Sequence, residues 1–371
     1  MESITKVGIL HETPYSDFKE CVDFPAPNKM FDPVIGHALY SEFLNELEFA
    51  EELGFDVAAL PEQHSKQDNL DPSPNVLASF LVARTKNIKI LPFGTILPLH
   101  NPIRIAEEYA MLDVLSKGRL LAGFVRGGPT NYVAYNENYS DGRTKFEEAW
   151  DLIVKAWTTV EPFQWEGKHY HFDNVSIWPR PYQKPHPTIH TAGGGSVETA
   201  AKMGASIGLG FTSTTKEVKD FVLNYQERCK ELQGKKPSKD KIAVARSIYV
   251  APTDREAREE CEEHLLHQYR VLYLPSIMAN QRLEKSCKVP LYWASRLFLT
   301  KESYEGLVKI GNHIAGSPET VAGAINELQD EIEFGTFLGL FRFGSMPHGL
   351  AKKSMQLFAD KVVPRLEKRS S

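Results

Sequence analysis

The chain has 371 residues, a formal net charge of −5 and four cysteines. That length suits one α/β barrel with insertions, and it buries a large core without disulfides or metal. A mildly acidic chain with no basic face excludes nucleic acid as an expected partner, and no run approaches the about 18 apolar residues of a membrane span.

The first six residues lack the basic start and long apolar run of a signal peptide. Cys21, Cys229, Cys261 and Cys287 are irregularly spaced, with no C-x-x-C pair. The expectation is a cytoplasmic protein with reduced thiols.

Short apolar runs then alternate with longer amphipathic ones. Strands are predicted at residues 7–10, 57–60, 88–91, 120–124, 188–191, 207–211, 243–250 and 336–341. Helical spacing fills the intervals. Leu44, Leu47 and Phe49 alternate with Glu46, Glu48, Glu51 and Glu52, and Ile105, Ala106, Tyr109, Ala110 and Leu112 follow the same logic. Strand–helix alternation implies a parallel sheet, because parallel neighbours need crossovers. Such units close into a (β/α)8 TIM barrel more naturally than they extend an open doubly wound sheet, although periodicity alone admits both. Two stretches interrupt the rhythm: residues 161–187, rich in aromatics and prolines, and residues 271–313, with little strand pattern. On a barrel such insertions become lids over the mouth. No linker or second domain is read, so residues 1–371 are expected to form a single barrel domain with insertions near 161–187 and 271–313.

Four stretches fall where a predicted strand hands over to a loop, which on a barrel is the catalytic face. Strand two ends in Leu60-Pro61-Glu62-Gln63-His64, three polar groups that equally suit a surface loop. Strand three ends in Pro92-Phe93-Gly94-Thr95 and runs through Leu97-Pro98-Leu99-His100-Asn101-Pro102-Ile103-Arg104 into a helix, with Pro102 suited to its first turn. Gly94 lets backbone approach a flat ligand. Strand four is entered through Ser116-Lys117-Gly118 and left at Arg126-Gly127-Gly128, where Arg126 suits an anion clamp or a surface ion pair. Strand five ends in Thr191-Ala192-Gly193-Gly194-Gly195-Ser196, a glycine-rich turn whose N–H groups suit a phosphate, with Ser196 as cap or donor. Neither a dinucleotide fingerprint nor a Walker loop is present. The pairs His169/His171 and His264/His267 lack a third ligand nearby, so no metal is expected.

Taken together, these stretches resemble the bacterial-luciferase-like, flavin-dependent monooxygenases. The resemblance is densest from Pro74 to Gly127. It includes Pro74-Asn75-Val76-Leu77-Ala78, Ala83-Arg84-Thr85-Lys86-Asn87-Ile88-Lys89, the 97–104 motif, Ala106-Glu107-Glu108, Leu112-Asp113 and Leu115-Ser116-Lys117-Gly118-Arg119. Weaker similarity continues through Phe146-Glu147-Glu148-Ala149-Trp150, Lys184-Pro185-His186-Pro187, Val250-Ala251-Pro252-Thr253-Asp254 and Gly316-Ser317-Pro318-Glu319-Thr320.

The resemblance implies a luciferase-like (β/α)8 barrel holding reduced FMN, or the deazaflavin F420, at its C-terminal mouth. Phe93, Gly94 and Thr95 would lie against the ring system, with a non-proline cis peptide at Phe93–Gly94 or Gly94–Thr95. Arg126, Gly193, Gly194, Gly195 and Ser196 would hold the phosphate. Glu62, Gln63 and His64 are the implied catalytic residues, with one departure. Relatives often read Glu-His-His, and Gln63 stands at the first His. An amide cannot accept a proton near neutral pH, which leaves His64 to take over or Gln63 to hydrogen-bond a substrate oxygen. The implied reaction takes reduced FMN from a separate flavin reductase, since the chain has no nicotinamide fingerprint. Oxygen adds at the flavin C4a carbon, and the C4a-peroxyflavin oxygenates a small aldehyde or ketone. An F420-dependent oxidoreductase and a non-catalytic flavin-binding protein are the alternatives. A homodimer paired through helices is expected.

Overall fold

The computed structural model of the chain describes residues 4–210, 212–287 and 294–367. Eight parallel strands follow the predicted ones: β1 (Lys6–Leu10), β2 (Val57–Leu60), β3 (Lys89–Pro92), β4 (Ala122–Val125), β5 (Ile189–Ala192), β6 (Ser206–Leu209), β7 (Ile242–Val250) and β8 (Thr336–Leu340). Neighbours pair in chain order, and β8 returns to β1 with Thr336 opposite Lys6 and Phe337 opposite Val7. The seam between β3 and β4 is the thinnest. There Ile90 N–H donates to the Arg119 carbonyl at 3.0 Å, and Leu121 N–H to the Ile90 carbonyl at 2.9 Å. The sheet is a closed (β/α)8 barrel. The sixth predicted strand reached Phe211, which lies outside the described residues.

Alternation along the strands sorts side chains into two sets. Leu10, Val57, Ala59, Leu91, Ala245 and Leu338 belong to one buried cluster. Ile9, Ala58, Ile90, Phe124, Val244 and Phe337 belong to another, which includes the inner faces of the surrounding helices. On that outer side Phe124 stacks on Trp157 at 5.9 Å between centroids, and Trp157 Nε1 donates to the Ala106 carbonyl at 2.9 Å.

Several helices start in the same way: Pro33–Glu52, Pro74–Arg84, Pro102–Leu115 and Pro318–Glu331 each begin on proline after a capping Asp32, Ser73, Asn101 or Ser317. The cap accepts a backbone N–H, and the proline fixes the first turn without wasting a donor. At the opposite end of the barrel, Glu51 accepts from the N–H groups of Lys86, Asn87 and Ile88, and Arg119 donates to the Val82, Thr85 and Ile88 carbonyls. These contacts set the entry into β3.

The sequence pattern missed three features. Thr95–Ile96 adds a short strand beside Phe124 and Val125, and His313–Gly316 one beside the end of β7. The 161–187 stretch contains an antiparallel hairpin, Phe163–Glu166 with His171–Val175. Glu148 pins it by accepting from Trp165 Nε1 and from the N–H groups of His169 and Tyr170.

Gly123 is the tightest point of the β3–β4 seam, since a Cβ there would collide with the Pro92 carbonyl oxygen. Backbone cannot swing aside as a side chain can. Gly123→Ala should therefore cost at least about 3 kcal/mol, the upper end for overpacking. Urea unfolding checks this, and an unchanged midpoint would mean that the seam widens freely.

Candidate active site

All eight strands point their C-terminal ends at one face, and the loops there carry the expected residues. At the end of β2, Glu62 is 3% exposed. Its Oε1 is shared by His64 Nε2 at 2.7 Å and His100 Nε2 at 2.8 Å, while its Oε2 accepts the Ile96 N–H at 3.0 Å. One buried carboxylate thus ties β2 to the loop after β3. Burial works to raise its pKa, but the hydrogen bonds from His100 and His64 outweigh it and hold Glu62 below the usual carboxylate range. His100 shows the reverse balance. Burial works to lower its pKa, and the bond to Glu62 lifts it above the ordinary imidazole value. The His64 backbone N–H donates to Asn131 Oδ1, and its ring meets Tyr135 edge-on. Gln63 is engaged elsewhere: its Oε1 accepts from Lys66 Nζ at 2.8 Å. Of the three expected catalytic residues, Glu62 and His64 are joined and Gln63 is not. His100, read only as part of a motif, completes the group.

After β3 the Phe93–Gly94 peptide is cis, at one of the two expected positions. The Phe93 ring spans to β6, where a Cβ at Gly208 would collide with it. Tyr109 OH donates to the Gly123 carbonyl at 2.9 Å, so the 2.8 Å bond between Thr95 Oγ1 and Tyr109 OH uses the threonine proton. The Thr95 hydroxyl is committed to the barrel wall.

Arg126 and the glycine turn meet. The Arg126 guanidinium lies over the Tyr139 ring at 5.1 Å and donates to its hydroxyl at 2.9 Å, and a Cβ at Gly195 would sit 3.8 Å from Arg126 Nη2. Gly193 takes a left-handed φ of 85°, and its N–H donates to the Gly208 carbonyl at 2.9 Å. A Cβ at Gly193 or Gly210 would meet nothing within 4 Å. A space flanked by a cation and glycine backbone can hold an anion. The Gly194–Ser196 turn leads into the helix Val197–Met203, and Ser196 makes no side-chain capping bond.

The 271–313 stretch yields a strap. A π-wound turn, Gln268–Tyr273, runs on into the helix Leu274–Cys287. At one end the Gln268 amide oxygen accepts the Gly344 N–H, and Gln268 Nε2 and Tyr273 OH both donate to Glu12 after β1. At the other end Asn280 Oδ1 accepts the Thr130 N–H at 2.9 Å, beyond β4. Beneath it lie buried acids that sequence reasoning did not single out. Burial pushes Glu12 up to about 8 and Asp71 to about 7. Nothing in a loop sequence such as Gln67-Asp68-Asn69-Leu70-Asp71 signals that a distant helix will cover it.

The Glu62–His100 pair has a pH consequence. His100 should titrate above 6.5, and its stabilising bond is fully present below the unfolded-state pKa and lost as pH rises through the folded one. In Glu62→Gln the midpoint should fall below the wild-type value. Imidazole NMR titration checks this, and an unmoved midpoint would remove Glu62 as the cause.

The sequence profile described as luciferase-like monooxygenase matches residues 32–333. The β chain of alkanal monooxygenase from Vibrio harveyi is 27% identical over 191 residues, which cover 50% of this chain and 58% of that protein. The chain spans 52% to 62% of the length of this and other curated relatives. Among solved structures, the oxygenating constituent of 3,6-diketocamphane monooxygenase from Pseudomonas putida, in complex with FMN, aligns with a TM-score of 0.77. It is 21% identical and covers 97% of this chain and 98% of its own. The F420-dependent tetrahydromethanopterin reductase of Methanopyrus kandleri aligns at 0.67 with 17% identity, covering 99% and 100%. At such identities these structures speak for the fold. Because the profile covers most of the chain, and the barrel agrees with it, the chain belongs to the luciferase-like monooxygenase family.

Proposed function

We propose that the chain is the oxygenase component of a two-component flavin monooxygenase, receiving reduced FMN from a separate reductase and using O2 to oxygenate a small aldehyde or ketone. The observation that carries this reading is the convergence of Arg126 with the 193–196 turn, beside Phe93. The residues fit a flavin phosphate: a cation, and glycines where a Cβ would meet open space. When bound, reduced flavin supplies the electrons that activate oxygen.

The chain's own residues supply position and shielding. Arg126 and the turn would anchor the phosphate, with Phe93, Gly94 and Thr95 along the ring. The Glu62–His64 pair stands at the same mouth, and the proton on His64 Nε2, facing Glu62, is held there. The strap from Gln268 to Cys287 would exclude bulk water. The names of the relatives support both oxygenation and FMN. A second reading, F420-dependent hydride transfer, draws on the Methanopyrus enzyme's near-complete alignment. The third, a flavin binder without turnover, rests on Gln63 in place of a proton-accepting histidine.

A homodimer is part of the proposal. Val76 and Phe80 on one helix, and Met111, Val114 and Leu115 on its neighbour, are exposed apolar residues on adjoining helices, joined by the Asn75–Glu108 hydrogen bond. Phe80→Asp with Leu115→Asp should convert the dimer to monomer in sedimentation, and a wild-type monomer would dismiss the interface.

Anaerobic titration with reduced FMN and with F420, followed by oxygenated buffer containing decanal or cyclohexanone, tests the function. Oxygenated product with FMN supports the proposal. Reduction chemistry with F420 alone selects the second reading, and FMN binding without product the third. Arg126→Ala should weaken FMN by about 10- to 100-fold, as a lost charge-assisted hydrogen bond implies, and leave riboflavin unchanged. Equal loss for both would move the phosphate elsewhere.

A further inference from the structure

Gln63 offers no proton-accepting nitrogen, and its amide oxygen is taken by Lys66 Nζ at 2.8 Å. That leaves the end of β2 with one imidazole, His64. A second imidazole, His100, arrives on the loop after β3, and the two rings meet at one atom, Glu62 Oε1, at 2.7 and 2.8 Å. Their access differs: the His64 side chain is 6% exposed and that of His100 26%.

Glu62 stays ionised despite burial, because the bonds from the two rings outweigh it. An ionised carboxylate only accepts, so both Nε2 atoms carry hydrogen. In neutral His64 the lone pair then lies on Nδ1. Among the described residues no group hydrogen-bonds that atom, and it is not one of the polar atoms sealed from water. The ring itself is held by its edge-on contact with Tyr135 and by the backbone bond to Asn131.

One carboxylate cannot give its full charge to two imidazoles. Burial works against a charge on His100, but the bond to Glu62 outweighs it, and Glu108 on the helix Pro102–Leu115 adds to the effect. Glu108 is in turn bound by Asn75 and Arg104. The other titratable groups facing Glu62 are the phenols of Tyr109, on the same helix, and Tyr135, both pushed up by burial. The charge of Glu62 is thus matched by the more exposed ring, His100.

We infer that His100 is a positioning residue for His64, acting through Glu62: together they fix the Nε2–H tautomer of His64, leave Nδ1 as the proton-accepting atom at the mouth, and His100 sets how strongly that atom accepts. A proton taken up at Nδ1, given by an acidic O–H group of whatever binds there, makes His64 an imidazolium whose Nε2–H still faces Glu62. The positive charge of His100 opposes this uptake, since like charges share one counter-ion. As part of a reaction this inference rests on the function proposed above; the tautomer and the coupling do not need the flavin.

NMR of the flavin-free full chain with isotope-labelled histidine nitrogens tests this. The His64 and His100 signals are identified by their loss in His64→Asn and His100→Gln. Neutral His64 should carry its hydrogen on Nε2 and none on Nδ1. Its signals should also move at the midpoint of His100, as coupled sites do. In His100→Gln, which keeps an N–H donor without the charge, that second movement should vanish, and His64 should bind its proton about 10- to 100-fold more strongly. A hydrogen on Nδ1 of neutral His64, a His64 titration that ignores His100, or unchanged proton binding in a folded His100→Gln would overturn the inference. The first two readouts come from the wild-type chain and decide alone if the variant does not fold. FMN titration and product analysis of the same protein separate this failure from failure of the flavin reading.

Discussion

The mouth of this barrel takes its shape from the closeness of β3 and β4. The two strands meet through Ile90 and its neighbours at Arg119 and Leu121, and Gly123 lies where any side chain would strike the Pro92 carbonyl. A chain pressed that tightly cannot continue straight. It leaves β3 through the cis Phe93–Gly94 peptide and resumes as Thr95–Ile96 against β4. The Phe93 ring then reaches Gly208, a second position where only hydrogen fits. The path of backbone past Phe93, and the room between it and the 193–196 turn, follow from two glycines that keep strands and ring in contact.

Electrostatics at the mouth divides along the same line. On the β2–β3 side a single carboxylate, Glu62, is fully subscribed by two imidazoles and a backbone N–H, and it stays ionised despite burial. On the β1 side Glu12 takes hydrogen bonds from Tyr273 and Gln268 and Asp71 from Thr13 and Asn69, neutral donors that burial outweighs, and their carboxyls hold protons far longer. The contrast lies in the partners, since burial is near complete for all three. A carboxylate is cheap to bury as an ion only where donors that can carry positive charge are already in place.

Much of the architecture was legible in the sequence. Runs such as Val57–Leu60 and Thr336–Leu340 are apolar along their length because both faces are covered, and they stand out against the amphipathic helices. Proline after Asp32, Ser73, Asn101 and Ser317 marked helix starts by local chemistry alone. Arg126 and the 193–196 turn each read as a strand-end anion site, and the resemblance to the family brought the two together. What sequence could not give was long-range. The 163–175 hairpin depends on Glu148, outside its own segment, and His100 reads as punctuation until Glu62 faces it. Asp68 and Asp71 look like loop residues until the strap from Gln268 onward covers them.

The strap differs in kind from the barrel it crosses. The strands are held by main-chain bonds on both sides, fewest at the β3–β4 seam, whereas the bonds from Gln268, Tyr273 and Asn280 to the barrel face are made by side chains, at two distant ends. Such an element opens as a cooperative unit at a free energy well below that of global unfolding. Under the function proposed above, ligand entry and product release would follow a local opening that leaves the barrel intact, and amide hydrogens beneath the strap would exchange on that clock and not on the clock of the whole domain.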